Sequence, residues 1–164
     1  MRAILLALAT ATTLAACTTS TTTTGGGVKV YRISAAKTSS IQYRMLDSVN
    51  ELRAAAGAGP MQLNSKLNAA AKTHAQDMSL QNRPWHFGSD GSSPVDRARR
   101  VGYTGLYLGE TISETFESEL QTLSAWMANH DTRRIIMDPR ARNLGFSWHQ
   151  ESNGKIWWVL EVGA

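Results

Sequence analysis

Residues 143–163, with the sequence NLGFSWHQESNGKIWWVLEVG, predict a β-hairpin. Two runs rich in apolar and β-branched residues, NLGFSWHQ (143–150) and KIWWVLEVG (155–163), flank a turn whose Asn-Gly pair is a strong hairpin signal. GETIS at 109–113 predicts a third short strand. The C-terminal part of the chain is therefore expected to form a small antiparallel sheet.

The residues before this hairpin show helical periodicity rather than alternation. Four helices are predicted, over residues 41–56, 65–81, 94–101 and about 116–129. Their ends carry the usual signals: Asn64 and Ser93 are N-cap residues, Pro94 is at a first helical position, and Gly57 and Gly102 are stops. Helices followed by strands, without βαβ alternation, indicate the α+β class.

The N-terminus has the form of an export signal. One arginine precedes an apolar run that is too short to span a bilayer, and small residues then lead to Cys17. The segment Leu14-Ala15-Ala16-Cys17 resembles the lipobox of bacterial lipoproteins, which implies cleavage before Cys17 and acylation of the thiol and the new N-terminus. Residues 1–16 are thus interpreted as a lipoprotein signal peptide; the alternative is an ordinary signal peptide with a buried free cysteine.

Residues 17–38 are interpreted as the lipidated cysteine and a tether. The segment TTSTTTTGGG at 18–27 is small, polar and uncharged, as in flexible linkers. VKVYRI at 28–33 alternates weakly, which fits either a short edge strand or an ordered linker. The folded domain is expected to cover residues 39–164, and the protein is expected to be extracytoplasmic and attached to a bacterial membrane.

Composition argues against several functions. The chain has 164 residues and a formal net charge of +4, a length that suits one domain with a modest core. The tight basic clusters are 97–100 and 133–134, and neither is interleaved with aromatic residues, so nucleic-acid binding is not expected. Cys17 is the only cysteine, which leaves no thiol for a disulfide, a metal or nucleophilic catalysis once it is an anchor.

Several motifs in order resemble the CAP superfamily, which includes cysteine-rich secretory proteins, venom antigens and plant pathogenesis-related proteins. The matching segments are HAQDM (74–78), WHFGSDGSSP (85–94), DRA (96–98), GETI (109–112), Trp126, IMDP (136–139) and LGF (144–146). The resemblance covers about residues 40–164. It implies an α-β-α sandwich around a small central antiparallel sheet, with a cleft on one side.

The resemblance also implies two cleft residues, His86 and Glu110. In some members the cleft holds a divalent metal, so both are candidate ligands of an ion such as zinc. The chain departs from the family pattern after Trp126: Asn129 and Thr132 stand where other members carry a second glutamate or histidine. His130 either replaces the missing ligand or faces solvent at a helix end. His86 itself either points into the cleft or only braces its loop.

The remaining histidines, serines and carboxylates are weaker candidates for catalytic or ligand-binding residues. His74 is expected to be a core residue bonded to a backbone carbonyl, and His149 a structural residue of the hairpin. Ser89, Ser92 and Ser93 lack the G-x-S-x-G context of a nucleophile. Glu114 and Glu117 are only nominal partners of Glu110 for paired-carboxylate chemistry.

A catalytic zinc ion needs three protein ligands and one open coordination position. The sequence offers two candidate ligands, His86 and Glu110. The expected function is therefore binding of a lipid or cell-envelope ligand, with no required cofactor. A metal-dependent hydrolase acting on peptide or cell-wall substrates is the alternative.

Overall fold

The computed structural model describes residues 31–164, and the segment interpreted as a signal peptide, Cys17 and most of the expected tether lie outside this range. The described chain is an α-β-α sandwich, as predicted. The helices are α1 (Thr38–Ala55), α2 (Ser65–Gln81), α3 (Pro94–Arg100), α4 (Glu119–Ala128) and α5 (His130–Ile136), after a 3₁₀ turn at Ala35–Lys37. The strands are β1 (Gln62–Leu63), β2 (Tyr107–Glu114), β3 (Asn143–Gln150) and β4 (Ile156–Gly163).

The sheet has the order β1-β3-β4-β2. Strand β4 is central and pairs antiparallel with both β3 and β2, which confirms the hairpin and the third strand. The two-residue strand β1 pairs in parallel with only Asn143 and Leu144, so most of the outer edge of β3 is not covered by a strand. The register places Glu110 of β2 directly opposite Glu161 of β4.

The helix ends follow the sequence signals closely. The Asn64 side chain accepts hydrogen bonds from the first-turn amides of α2, and Ser93 and Asp96 form a capping box at the start of α3. Gly57, with φ of +72°, follows the end of α1 in a conformation that suits glycine. These contacts confirm three of the four predicted helices with small differences at their ends.

The predicted helix at 116–129 differs most from the structure. Helix α4 ends at Ala128, and Asn129 caps a separate helix, α5, with its side chain accepting from the amides of Asp131 and Thr132. The sequence analysis did not predict α5 or β1. The break follows from the strong preference of Asn for the N-cap position, where it satisfies orphan amides that a continued helix would not expose.

Each face of the sheet packs against its own helices. Met45, Val49, Trp126 and Phe146 belong to a large core between the sheet and the helices α1 and α4. Helix α2 covers the opposite face, and it approaches β3 so closely that a Cβ on Gly145 would lie 2.3 Å from the backbone of Leu67. This contact explains why the strand carries glycine there.

Arg53 at the end of α1 connects distant parts of the backbone. Its fully buried side chain donates to the carbonyl oxygens of Gly59 (2.8 Å), Ile136 (2.8 Å), Asp138 (3.0 Å) and Ala141 (3.3 Å). Buried cations need such partners, because a charge without them loses its solvation. Arg53 thereby joins α1 to the segment between α5 and β3.

Residues 31–34 form an ordered linker rather than a strand. Gln150 contacts this segment twice, since its amide donates to the Tyr31 carbonyl (2.8 Å) and its oxygen accepts from the Ile33 amide (3.0 Å). Residues 28–30 of the predicted alternating segment lie outside the described range. Within residues 31–164, no helix has both the length and the apolar character needed to cross a membrane.

Candidate functional site

The loop between α2 and α3 holds the histidine of the WHFGSDGSSP motif. Asp77 of α2 fixes the loop by accepting from the Ser89 amide (2.8 Å) and hydroxyl (2.6 Å). Asp90 accepts from the Ser92 amide (3.0 Å). Hydrogen bonds from the Ser92 side chain, the Ser92 amide and Arg100 keep the pKa of Asp90 below its ordinary value. The polar side chains of this segment thus hold the loop in one shape.

His86 and Glu110, the two predicted cleft residues, lie in direct contact. The Nδ1 atom of His86 is 2.8 Å from Oε1 of Glu110. The His86 side chain is 53% exposed, whereas that of Glu110 is 1% exposed, so the imidazole covers a buried carboxylate. The rings of its neighbours in sequence, Trp85 and Phe87, contact each other with centroids 5.3 Å apart, and both are partly exposed.

Arg97 contacts both oxygens of the Glu110 carboxylate. Its Nη2 atom lies 3.0 Å from Oε1 and 2.8 Å from Oε2, so both carboxylate oxygens contact the guanidinium. Its Nη1 atom donates to the carbonyl oxygens of His86 (2.9 Å) and Ser92 (3.1 Å). Arg97 therefore joins the loop, α3 and β2 through one buried cation.

The protonation of this cluster follows from its contacts. Burial raises the pKa of Glu110, but the hydrogen bond from His86 and the contacts with Arg97 outweigh it and leave the pKa below its ordinary value. An ionised carboxylate can only accept hydrogen bonds, so the proton of the hydrogen bond between His86 and Glu110 lies on Nδ1 of His86. The imidazole is thus oriented by a carboxylate, as in many catalytic histidines.

His74 lies beneath this contact and has the structural role predicted for it. Its fully buried ring bonds to the backbone carbonyl of Trp85, with Nε2 and the oxygen 3.0 Å apart. Nε2 is also 3.6 Å from Oε1 of Glu110. Burial lowers the pKa of His74 more than the nearby carboxylate raises it, so the ring is neutral at pH 7 and donates to Trp85.

Glu161 is the residue of this cluster that the sequence analysis missed. It is fully buried opposite Glu110, and Tyr107 donates a hydrogen bond to its Oε2 atom. Burial, followed by the charge of Glu110, raises the pKa of Glu161 well above its ordinary value. Glu161 therefore keeps its proton to a higher pH than an ordinary glutamate, and it, rather than either of the nominal candidates Glu114 and Glu117, is the carboxyl group opposite Glu110.

His130 and His149 lie apart from the cluster. The His130 side chain is 89% exposed and contacts Asp131 at 3.2 Å, at the first residue of α5 rather than at the end of α4. His130 thus faces solvent at a helix end, one of the two alternatives left open by the sequence, and this end is the N-terminus of α5. His149 is half-buried on β3.

The residues of this site do not fit a divalent metal. Among residues 31–164, no group of three or more His, Cys, Asp or Glu side chains is arranged to hold an ion. His86 and Glu110 are adjacent, but Arg97 contacts both oxygens of Glu110 and supplies the positive charge that a metal would bring. The donor set thus lacks the three ligands of a catalytic zinc site.

The site also lacks a paired nucleophile. Within the described part of the chain, no hydrogen bond joins the His86 ring to a serine or threonine hydroxyl, the contact by which a base activates a nucleophile. Glu110 and Glu161 are both too deeply buried to contact a substrate directly. The arrangement fixes the loop and leaves the His86 side chain about half exposed, next in sequence to two exposed aromatic residues.

The comparisons with known proteins agree with this fold. Residues 46–162 match the CAP family, the cysteine-rich secretory protein family, and the chain belongs to it. No curated protein matches the chain.

Similar solved structures come from several bacteria. An outer surface protein of Borrelia burgdorferi aligns with a TM-score of 0.71 and 14% identity, over 82% of this chain and 97% of that one. An extracellular SCP-domain protein of Bacillus anthracis has a TM-score of 0.71 and 16% identity, over 81% of this chain and 44% of that one. A cysteine-rich secretory protein of Staphylococcus aureus has a TM-score of 0.62 and 12% identity, over 82% of this chain and 42% of that one. This chain thus spans less than half of the last two proteins, and identities this low show the fold alone.

Proposed function

We propose that this protein is a lipid-anchored, extracytoplasmic CAP protein whose domain binds a lipid or cell-envelope ligand without chemically changing it. The observation that supports the binding role is that Glu110 is buried and paired with Arg97. Arg97 contacts both of its oxygens, and its side chain is 1% exposed. A general base or metal ligand must be able to reach a proton or an ion, and Glu110 reaches only its partners.

A metal-dependent hydrolase on peptide or cell-wall substrates is the weaker candidate for the same reason. It would need a third ligand beside His86 and Glu110, and His130 is exposed and pairs with Asp131. No feature of residues 31–164 favours this activity over binding.

The extracytoplasmic location and the anchor are supported by the sequence before the domain. Leu14-Ala15-Ala16-Cys17 has the lipobox form, and two or more acyl chains give stable membrane attachment where one is marginal. The names of two similar proteins, an outer surface protein and an extracellular protein, are consistent with export.

The anchor is tested by Cys17→Ala. We expect the variant to appear in the soluble fraction or as unprocessed precursor, whereas the wild type stays in the membrane fraction with an acylated N-terminus by mass spectrometry. Unchanged membrane attachment together with an unmodified N-terminus would disprove the anchor.

The binding role is tested by isolating the protein from its native membrane and identifying co-purified molecules by mass spectrometry. We expect a lipid or envelope component to be retained intact and in a fixed ratio to the protein. Recovery of cleaved products from an added envelope extract, dependent on His86, would instead show hydrolysis.

A further inference from the structure

The outer face of α2 carries positive charge without a matching exposed carboxylate. The exposed positions of this helix recur on the side away from the sheet, at residues 65–66, 69, 72–73, 76 and 80. Lys66 and Lys72 belong to this set. Asp77, the only acidic residue of α2, is half-buried and accepts hydrogen bonds from the Ser89 amide (2.8 Å) and from Gln81 (2.9 Å). The helix itself therefore offers no exposed carboxylate to its two exposed lysines.

An exposed apolar cluster adjoins the C-terminal end of this face. Leu80, in the last turn of α2, is 85% exposed, and the exposed rings of Trp85 and Phe87 contact each other in the loop that follows. The side-chain amide of Gln81 donates to the Phe87 carbonyl (3.2 Å), which holds this loop beside the last turn of the helix. Large apolar side chains that are exposed together, rather than singly, indicate a contact surface.

Arg83 joins the charged and the apolar parts of this surface. Its Cζ atom lies 3.6 Å from the centroid of the Trp85 ring. Tryptophan is enriched at membrane–water interfaces, and arginine packs its stem on apolar surface while its charge stays in water. Among residues 31–164, no carboxylate forms an ion pair with Arg83, Lys66 or Lys72. These side chains together form the basic-apolar face: Lys66, Lys72, Leu80, Arg83, Trp85 and Phe87.

The chain enters the domain at the same end of α2. Arg32 donates to the backbone carbonyl of Glu151 (2.6 Å) in the hairpin turn. The Glu151 side chain accepts from the Ser79 hydroxyl (2.8 Å), and Lys155 donates to Oδ1 of Asn82 (3.4 Å). The hairpin turn therefore joins the start of the described chain to the end of α2, where the apolar cluster lies.

The proposed anchor is within a short reach of this end. Residues 18–30 separate Cys17 from the described chain, so the distance from Cys17 to Tyr31 is at most about 50 Å. A tether of this length makes contact between the domain and the bilayer an intramolecular event, for which a weak affinity is sufficient. An anionic bilayer surface attracts basic residues, and its headgroup layer accepts exposed Trp, Phe and Leu side chains. Charge and tether length thus indicate the same partner, the membrane that holds the anchor.

We propose that the basic-apolar face docks on the anionic surface of the membrane to which Cys17 attaches the protein. Its cations contact lipid phosphate groups, and its apolar side chains enter the headgroup layer. His86 lies between Trp85 and Phe87 in sequence, so this contact brings the candidate site to the bilayer surface, within reach of a lipid ligand. The proposal rests on the anchor proposed above and adds a direct contact between the folded domain and the lipid.

The test uses the full-length acylated protein reconstituted into vesicles of phosphatidylcholine, with or without phosphatidylglycerol. The acyl chains are brominated, so that they quench a tryptophan that reaches them. The emission of Trp85 is obtained as the difference between the wild type and Trp85→Phe. We expect this emission to be quenched in the vesicles that contain phosphatidylglycerol, to be quenched much less in the neutral vesicles, and to recover at high salt.

Lys66→Gln and Lys72→Gln test the charged part of the face. Each should lower the ratio of docked to undocked protein about fivefold, because one cation near an anionic surface contributes about 1 kcal/mol. Arg134→Gln is the matched control, since it removes an exposed cation from α5, which packs against the opposite face of the sheet, and it should behave like the wild type.

Leu80→Ser tests the apolar part and should also reduce the quenching of Trp85. Its control is Leu120→Ser, which changes an exposed leucine of α4 on the opposite face of the sheet and should leave the quenching unchanged.

The outcomes separate docking from anchoring. Equal quenching in the two kinds of vesicle, or unchanged quenching in Lys66→Gln and Lys72→Gln, would overturn the anionic contact. An unquenched Trp85 in a protein that floats with the vesicles would overturn docking alone, retain the anchor and leave the face for a protein partner. A wild type that does not float with the vesicles has no anchor, and the anchor and the docking then fail together.

Discussion

Two buried arginines on opposite faces of the sheet satisfy their charge in different ways. Arg53 donates only to backbone carbonyls, four of them, and has no carboxylate among its hydrogen-bond partners. Arg97 donates to two carbonyls but also contacts both oxygens of a buried carboxylate, Glu110. Both side chains join segments that are distant in sequence.

The difference indicates which arginine belongs to a polar site and which to the scaffold. Carbonyl oxygens are neutral and fixed by the fold, so the surroundings of Arg53 cannot change charge near neutral pH. Arg97 belongs to a cluster with Glu110, His86 and Glu161, in which the pKa of Glu110 is lowered and the charge of Glu110 raises the pKa of Glu161. The two arginines should therefore respond differently to mutation and to pH.

The largest effect is expected for Arg97→Met, which leaves the Glu110 charge buried with no cation. Breaking a buried pair from one side costs about 3–5 kcal/mol, a large share of the stability of a small domain. Protonation neutralises Glu110, so the loss of stability caused by Arg97→Met should shrink as the pH falls below 4.5, the ordinary pKa of this carboxyl group. Chemical denaturation at pH 7 and at pH 4 measures both.

The double variant Arg97→Met with Glu110→Gln is the control, since it removes both charges together. We expect it to recover about half or more of the unfolding free energy that Arg97→Met loses at pH 7, because removing both partners destabilises the fold less than leaving one of them buried and unpaired. Additive losses would show that Arg97 acts through packing and carbonyl contacts rather than through Glu110.

A smaller effect is expected for Arg53→Met. It leaves neutral carbonyl groups without donors, so we expect a loss of about 3 kcal/mol in the free energy of unfolding. No carboxylate change should rescue it, and Asp138→Asn in the same chain is the test of this point. Arg140→Met, which removes an exposed arginine paired with Asp138, should destabilise the protein far less than Arg53→Met. If Asp138→Asn restored the stability lost in Arg53→Met, Arg53 would depend on a carboxylate as Arg97 does, contrary to our expectation.

The smallest effect, and the most specific, is expected for Glu161→Gln. The raised pKa of Glu161 means that the folded protein holds a proton which the unfolded chain releases above about pH 4.5, so this group lowers wild-type stability as the pH rises. Glutamine does not titrate, so the melting temperature of the variant should rise relative to that of the wild type as the pH increases from 5 to 8.

Glu151→Gln is the control of opposite sign. Hydrogen bonds from Trp157 and Ser79 lower the pKa of Glu151, so its stabilisation is present above its ordinary value of 4.5 and lost below it. The stability difference between this variant and the wild type should therefore stay constant between pH 5 and pH 8 and shrink only as the pH falls below 4.5. A pH-independent difference for Glu161→Gln would mean that Glu161 is ionised in the folded state.

The sequence predicted most of the scaffold because the signals were local. Asn64, Ser93 and the hairpin turn act within a few residues of themselves, and the structure confirms all three. Helix α5 was missed although Asn129 is a good N-cap, since its seven residues are too few to show a period.

The site was only half predictable, because its other members are defined by contacts between distant segments. Arg97 stood among the matched motifs, in DRA, but was counted with Arg99 and Arg100 as a surface cluster. Composition does not tell which of three nearby arginines points inward. Glu161 is the only charged residue within strand β4, yet its place opposite Glu110 depends on the register between β2 and β4.

The central claim is that Arg97, and not a metal ion, neutralises Glu110 in this CAP domain. Calorimetric titration of zinc into the metal-free wild type at pH 7 tests it most directly, with His86→Ala and Glu110→Gln measured alongside. The contacts of Arg97 predict no stoichiometric zinc binding in any of the three while all remain folded. One tightly bound zinc per wild-type chain, lost in both variants, would contradict this account and support a metal site at His86 and Glu110.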